Sequence, residues 1–310
     1  LRFIQLFGPL LTFLSAVWLK VVKKMGTGTY EDKIFMKLGI LPILDHYYQP
    51  MINPKKHLTK SLRDDRDLKG IDLNTEEQLK LLTLFKFNEE LVTFPLNKRE
   101  EMEFYYYNGI YEIGDSEYLY NMVRYFKPGR IIEIGSGYST LMMRNAIVNN
   151  MSDDSSYMCN QICIEPYENI WLESLDVTLI RERVERTDKA LFQSLKVNDI
   201  LFIDSSHIIR PQGDVLFEYL EILPTLQSGV IIHVHDIFTP KDYLDQFVYN
   251  HYLWNEQYLL EAFLTFNYEF EIIGALNYLR HNYRKELSQK CPVFAKTHDC
   301  EPAAFWMRRK

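Results

Sequence analysis

The chain has 310 residues, 47% of them hydrophobic, and a formal charge of −7. That length and apolar fraction exclude global disorder and allow one large domain or two smaller ones. No basic tail or stripe is present, which argues against a duplex nucleic-acid binder.

The four cysteines, Cys159, Cys163, Cys291 and Cys300, form no C-x-x-C pair. Their scatter suggests neither a zinc site nor a disulfide framework, and a reducing cytoplasm is the expected compartment.

Residues 1–24 read as an apolar N-terminal helix. Phe3 to Val22 is broken by Gln5, Thr12, Ser15 and Lys20, contains Gly8-Pro9, and is followed by Lys23-Lys24. Its length approaches the ~20 residues of a membrane span. Lys20 falls inside the run, however, and Pro9 should kink it. Three readings follow: a helix on a membrane surface through residues 3–22, a helix packed on its own protein or on a second copy, or a span.

Residues 25–104 read as a helical region with polar connectors. Asn53-Pro54-Lys55-Lys56 signals a turn. Thr75-Glu76-Glu77-Gln78 opens a helix, with the Thr75 hydroxyl as N-cap and Leu79, Leu82, Leu84 and Phe85 as its apolar face. From 105 onward a third segment runs to 310. Gly114-Asp115-Ser116 leads a helix through Tyr118, Leu119, Met122 and Val123, which Lys127-Pro128-Gly129 stops.

Short apolar runs then alternate with helical segments. The strands expected are Ile131–Ile134, Ile162–Ile164, Val177–Ile180, Ile200–Ile203 and Val230–Val234, with two late ones at Phe270–Ile273 and Ala304–Met307. Apolar runs between helices indicate an α/β fold whose mostly parallel sheet is covered on both faces. The polar run 149–156 reads as an exposed loop. Phe238–Tyr243 is a further loop, and Trp254–Tyr258 begins a helix that either walls a substrate site or packs on the sheet.

The first strand ends in Glu133-Ile134-Gly135-Ser136-Gly137-Tyr138-Ser139-Thr140. A strand, glycine turn and helix let backbone N–H groups approach a ligand closely at the helix N-terminus. Thr140 holds the place of the third glycine of a dinucleotide site. Glu133 would repel a pyrophosphate but can accept hydrogen bonds from an ammonium group. Glu165, in Ile164-Glu165-Pro166-Tyr167, follows the second strand, where an acid can take both hydroxyls of a ribose.

Asp204-Ser205-Ser206-His207 follows the fourth strand. Asp204 and His207 are three apart, so both can face one cavity, and a histidine suits proton removal near neutral pH. His233-Val234-His235-Asp236 ends the fifth strand, with both histidines on one side. Asp204, His235 and Asp236 make a candidate N/O site for a divalent metal.

These motifs, in this order, resemble the class I S-adenosylmethionine (SAM) methyltransferases, in particular the bacterial branch labelled simply "methyltransferase domain". The resemblance covers about residues 105–310. It implies a doubly wound, seven-stranded sheet with the last strand inserted antiparallel beside the fifth. It further implies SAM held by Glu133, Gly135, Ser136, Gly137, Ser139, Thr140, Glu165, Pro166 and Tyr167. In some sugar and natural-product O-methyltransferases of this fold, Mg²⁺ is held by an Asp after the fourth strand and an acid pair after the fifth, with a His as base. Asp204, His207 and Asp236 match that pattern. His235 stands where an acid is usual, which would suit Mn²⁺, Fe²⁺ or Zn²⁺.

The expected activity is O-methylation of a hydroxyl on a sugar or other small molecule, with His207 as base and Asp204 beside it. N-methylation stays open at this stage. So do a metal-dependent hydroxylase or hydrolase built on the His/Asp cluster and a SAM-binding scaffold without chemistry. The expected location is cytoplasmic or membrane-associated, and the N-terminal region can supply a homo-oligomer contact.

Overall fold

The computed structural model describes residues 2–26 and 28–310, the side chains of 2–6 aside. The chain divides into two compact units, Leu1–Ser61 with Gln246–Leu253, and Leu62–Asp245 with Trp254–Lys310.

The first unit is helical, with helices Arg2–Met25, Tyr30–Leu38 and Pro54–His57. The first runs through Pro9 without a break. Thr29 caps the second by accepting from the Asp32 N–H, and Gly39 ends it at φ 69°. Among the described residues no helix is long and apolar enough to cross a membrane.

The second unit holds a seven-stranded sheet. Its strands are β1 (Arg130–Ile134), β2 (Asn160–Ile164), β3 (Thr178–Ile180), β4 (Ile200–Ile203), β5 (Ile231–Val234), β6 (Phe270–Ala275) and β7 (Phe305–Arg309). Their order is β3-β2-β1-β4-β5-β7-β6. All neighbours pair in parallel except that β7 runs antiparallel to both β5 and β6. This is the doubly wound topology the motifs implied, antiparallel insertion beside β5 included.

Alternation along the strands feeds two cores. Ile131, Phe202 and Ile231 face helices Asp115–Phe126 and Tyr138–Asp153. Ile132, Leu201 and Ile232 face the opposite layer, where Leu260 and Leu264 of helix Glu256–Leu264 pack. Of the two readings of that helix, packing on the sheet is what the structure shows.

The sheet unit begins at Leu62, well before the boundary expected near 105. The reason is packing. Leu81, Leu82, Phe85 and Leu91 are buried in the first core, and the Gln78 side-chain Oε1 accepts from the Ala275 N–H at 2.7 Å. Two smaller readings also change. Thr75 does not cap its helix: Asn74 stands at the N-cap at φ 51°, and the Thr75 hydroxyl meets Tyr278. The polar run 149–156 is loop only from Asp154 onward, because helix Tyr138–Asp153 continues through its first five residues. Asn150 is kept helical by burial, bonding the Arg124 guanidinium and the Val123 carbonyl.

Candidate active site

The sheet order reverses between β1 and β4, and ligands in open α/β sheets bind at the carboxyl ends beside that point. One residue past each strand end, the ladder is still in register. Gly135 N–H bonds the Ile164 carbonyl, Glu165 N–H that of Ile180, Asp204 N–H that of Ile134 and His235 N–H that of Ile203. Glu165, Gly135, Asp204 and His235 therefore lie in one row along the edge.

Gly135 is required there. Its φ is 75°, and a Cβ added to it would sit 1.9 Å from the Asp204 carbonyl oxygen. Only glycine lets β1 turn this close to β4. Gly137 is different: φ is −168° and a Cβ would have room. Its N–H donates to Thr140 Oγ1 at 3.0 Å.

Glu133 lies behind this turn and is fully buried. Its oxygens accept from Ser139 and Thr140, each at 2.7 Å, and from Cys163 Sγ at 3.4 Å. Burial pushes its carboxyl up to about 7, against those hydrogen bonds. Glu133, Ser139 and Thr140 thus bond one another, which sets the shape of the loop. Glu165 fronts open space instead. Its Oε1 accepts from the Tyr167 and Glu168 N–H groups at 2.9 Å, and its Oε2 lies 3.4 Å from the Ser136 N–H. A cleft of about 360 Å³ opens here, lined by Gly135, Glu165, Pro166, Tyr167, Asp204 and, unforeseen from sequence, Arg183 and Glu185. These two follow β3 and form a 3.0 Å ion pair.

Beyond Asp204 lies a charged cluster. His207, at φ 58°, places Nε2 3.3 Å from Asp204 and 3.5 Å from Asp236, itself at φ 55°. Left-handed backbone is uncommon outside glycine, and His and Asp are among the side chains that adopt it most readily. The Nδ1 of His207 donates to Glu256 at 2.8 Å. Glu256 is fully buried and also accepts from the Tyr219 hydroxyl. His235 stands beside this group, its Nδ1 3.4 Å from Asp204 and 3.7 Å from Asp236, its Nε2 3.5 Å from Asp115.

The charges shift one another. Burial alone would raise Asp204, but His235 and His207 hold its carboxyl well below the usual range. Burial would lower His207, yet its bonds to Asp204 and Glu256 prevail and keep its proton on well above the ordinary pH. Asp204 and Asp236 do the same for His235 against burial. Asp236 is raised by burial, which its two histidine neighbours only partly offset.

Two imidazoles thus face four carboxyl groups, a surplus of negative charge that suits a divalent cation. One oxygen each of Asp204 and Asp236 and a nitrogen of His207 lie within 4.8 Å of one another. His235 borders this triangle. His233 does not belong to it. It shares the side of His235 but is stacked on Phe202 at 4.0 Å, and burial lowers its proton affinity.

Glu256 escaped the sequence reading although a signal was present. It shares a helix face with Leu260 and Leu264, and an acid on a buried apolar face needs a partner.

Residues 132–237 match the family described as "Methyltransferase domain". The chain is also similar to an uncharacterized protein of Archaeoglobus fulgidus, 30% identical over 167 residues, which span half of this chain and 74% of that protein.

Proposed function

The chain belongs to the class I SAM-dependent methyltransferases, and from that membership we propose that it methylates a hydroxyl of a sugar or other small molecule, with His207 as base and a divalent cation beside it. The observation that carries the reading is the convergence of Asp204, His207 and Asp236 next to the Gly135 turn and its cleft.

The residues fit the methyl donor. Gly135 lets β1 turn directly against the end of β4, and the cleft beside it is walled by Glu165, Pro166 and Tyr167. Glu165 has the acceptor oxygens for the ribose, and Ser205 and Ser206 line the cleft past Asp204. When bound, SAM presents a methyl group on a positively charged sulfur, already activated for displacement by an acceptor oxygen.

The protein then supplies orientation and a base. Holding the two reactants in line contributes up to ~7–11 kcal/mol in favourable cases. Nε2 of His207 takes the hydroxyl proton, while Glu256 holds Nδ1–H and so fixes the tautomer. A base must start without its proton, and the carboxylates around His207 work against that. Asp204 and Asp236 would hold a divalent cation, which would offset that charge and supply Lewis acidity to the hydroxyl.

His207→Ala and Asp204→Ala should each lose turnover with SAM binding, measured by calorimetry, nearly intact. Full activity in both would remove the assignment. The short distances within the triangle favour one second reading, in which Nε2 of His207 is a cation ligand and the proton leaves by another route. In that case His207→Ala weakens cation binding itself; as a base its loss leaves cation binding in place.

A further inference from the structure

The catalytic reading leaves the N-terminal helix Arg2–Met25 unused. Its side chains at Leu10, Leu11, Leu14, Val17, Trp18 and Val21 are each 48–58% exposed. The spacing i, i+1, i+4, i+7, i+8, i+11 puts all six on one face. Val22, at the edge of the same face one turn past Trp18, is buried. An apolar face turned to water over three turns is costly unless something covers it.

The charge of the helix says what covers it. It carries four basic residues and no acid, in a chain of net charge −7. Lys20 and Lys24 are exposed and border the apolar face at its C-terminal end, while Lys23 lies on the far side and is half-buried. A pair of such helices would bring basic clusters together without acids to match. A coiled-coil seam also needs only a narrow stripe, whereas Leu10, Phe13 and Val17 widen this face past one. A broad apolar face with an exposed Trp and a basic border fits an anionic bilayer surface.

We propose that this helix docks the protein on anionic phospholipid membranes, lying in the interface with Leu14, Val17 and Trp18 toward the acyl chains and Lys20 and Lys24 at the headgroups. The proposal is independent of the methyl-transfer reading.

The test is co-sedimentation of the full chain with vesicles of phosphatidylcholine alone and of phosphatidylcholine mixed with phosphatidylglycerol. The mixed vesicles should bind at least roughly tenfold better, and salt should weaken the binding. Each lysine near such a surface is worth about fivefold, so Lys20→Glu, Lys23→Glu and Lys24→Glu together should lose on the order of a hundredfold or more. Thermal unfolding of the triple variant should match the wild type. Val17→Glu should remove binding with the thermal unfolding of the sheet unit unchanged. No binding by the wild-type chain overturns the proposal. So does a dimer in light scattering that Val17→Glu splits while vesicles bind neither form. Membrane-fraction protein that alkaline carbonate cannot extract would mean insertion, and overturns it as well.

Discussion

Glu256 reaches His207 from 49 residues along the chain, and its effect is on tautomer. With Nδ1–H held, Nε2 is the nitrogen that faces Asp204 and Asp236. Removing a carboxylate behind a ligating or proton-accepting histidine typically costs ~10–100-fold in metal affinity or activity. Glu256→Gln should therefore weaken Mn²⁺ binding, followed by calorimetry, or turnover by that factor. A variant unchanged in both would leave Glu256 a structural residue. At Gly135 the argument is steric. Gly135→Ala must move the Asp204 carbonyl, which a Cβ would approach to 1.9 Å. It should abolish SAM binding and lower stability by ~2 kcal/mol or more. A Tm and an affinity equal to wild type would contradict the geometry. Gly135, Glu165 and Asp204 were legible because a strand end is a local event. Glu256 was not, because its partner is set by how a distant helix packs.

At the scale of elements, strand ends place the chemistry and helices hold the strands. The buried Arg124 on helix Asp115–Phe126 joins Glu90, Asn150 and Asp153. It thereby ties helix Tyr138–Asp153 to helix Asn88–Leu91. Breaking a buried ion pair from one side costs ~3–5 kcal/mol. Asp153 is more than half exposed, so the low end applies: Arg124→Ala should cost about 3 kcal/mol in denaturant unfolding. A loss below about 1 kcal/mol would show that the network adds little. The strands were readable because fully buried apolar runs have few alternatives. Helix ends were less so. The C-terminal turn of helix Tyr138–Asp153 is polar in sequence and is held by Arg124, a tertiary contact that no local pattern contains. The start near Thr75 slipped by one because Asn74 adopts left-handed backbone and donates to the Ile272 carbonyl.

Across the whole molecule, burial of Glu133 couples the turn after β1 to folding. Its carboxyl rises from an ordinary 4.5 to about 7 in the folded chain. A raised folded pKa gives stability that is complete below about 4.5 and lost as pH rises through about 7. His207 and His235 act in the same direction, since their folded pKa also lies above the ordinary 6.5 and their contribution fades at higher pH. Metal-free protein should thus lose Tm between pH 5 and 8. Glu133→Gln, which can still accept from Ser139 and donate to Thr140 Oγ1, should flatten that slope. An identical slope in both proteins would mean that Glu133 keeps its charge on folding. The central claim, that the Gly135 turn and Glu165 form the SAM site beside the Asp204, His207 and Asp236 cluster, is reached most directly by isothermal titration with SAM. Micromolar binding to the wild-type chain, lost in Glu165→Ala and retained in His207→Ala, is the expected result. No heat of binding in the wild-type chain, with or without divalent metal, would contradict it.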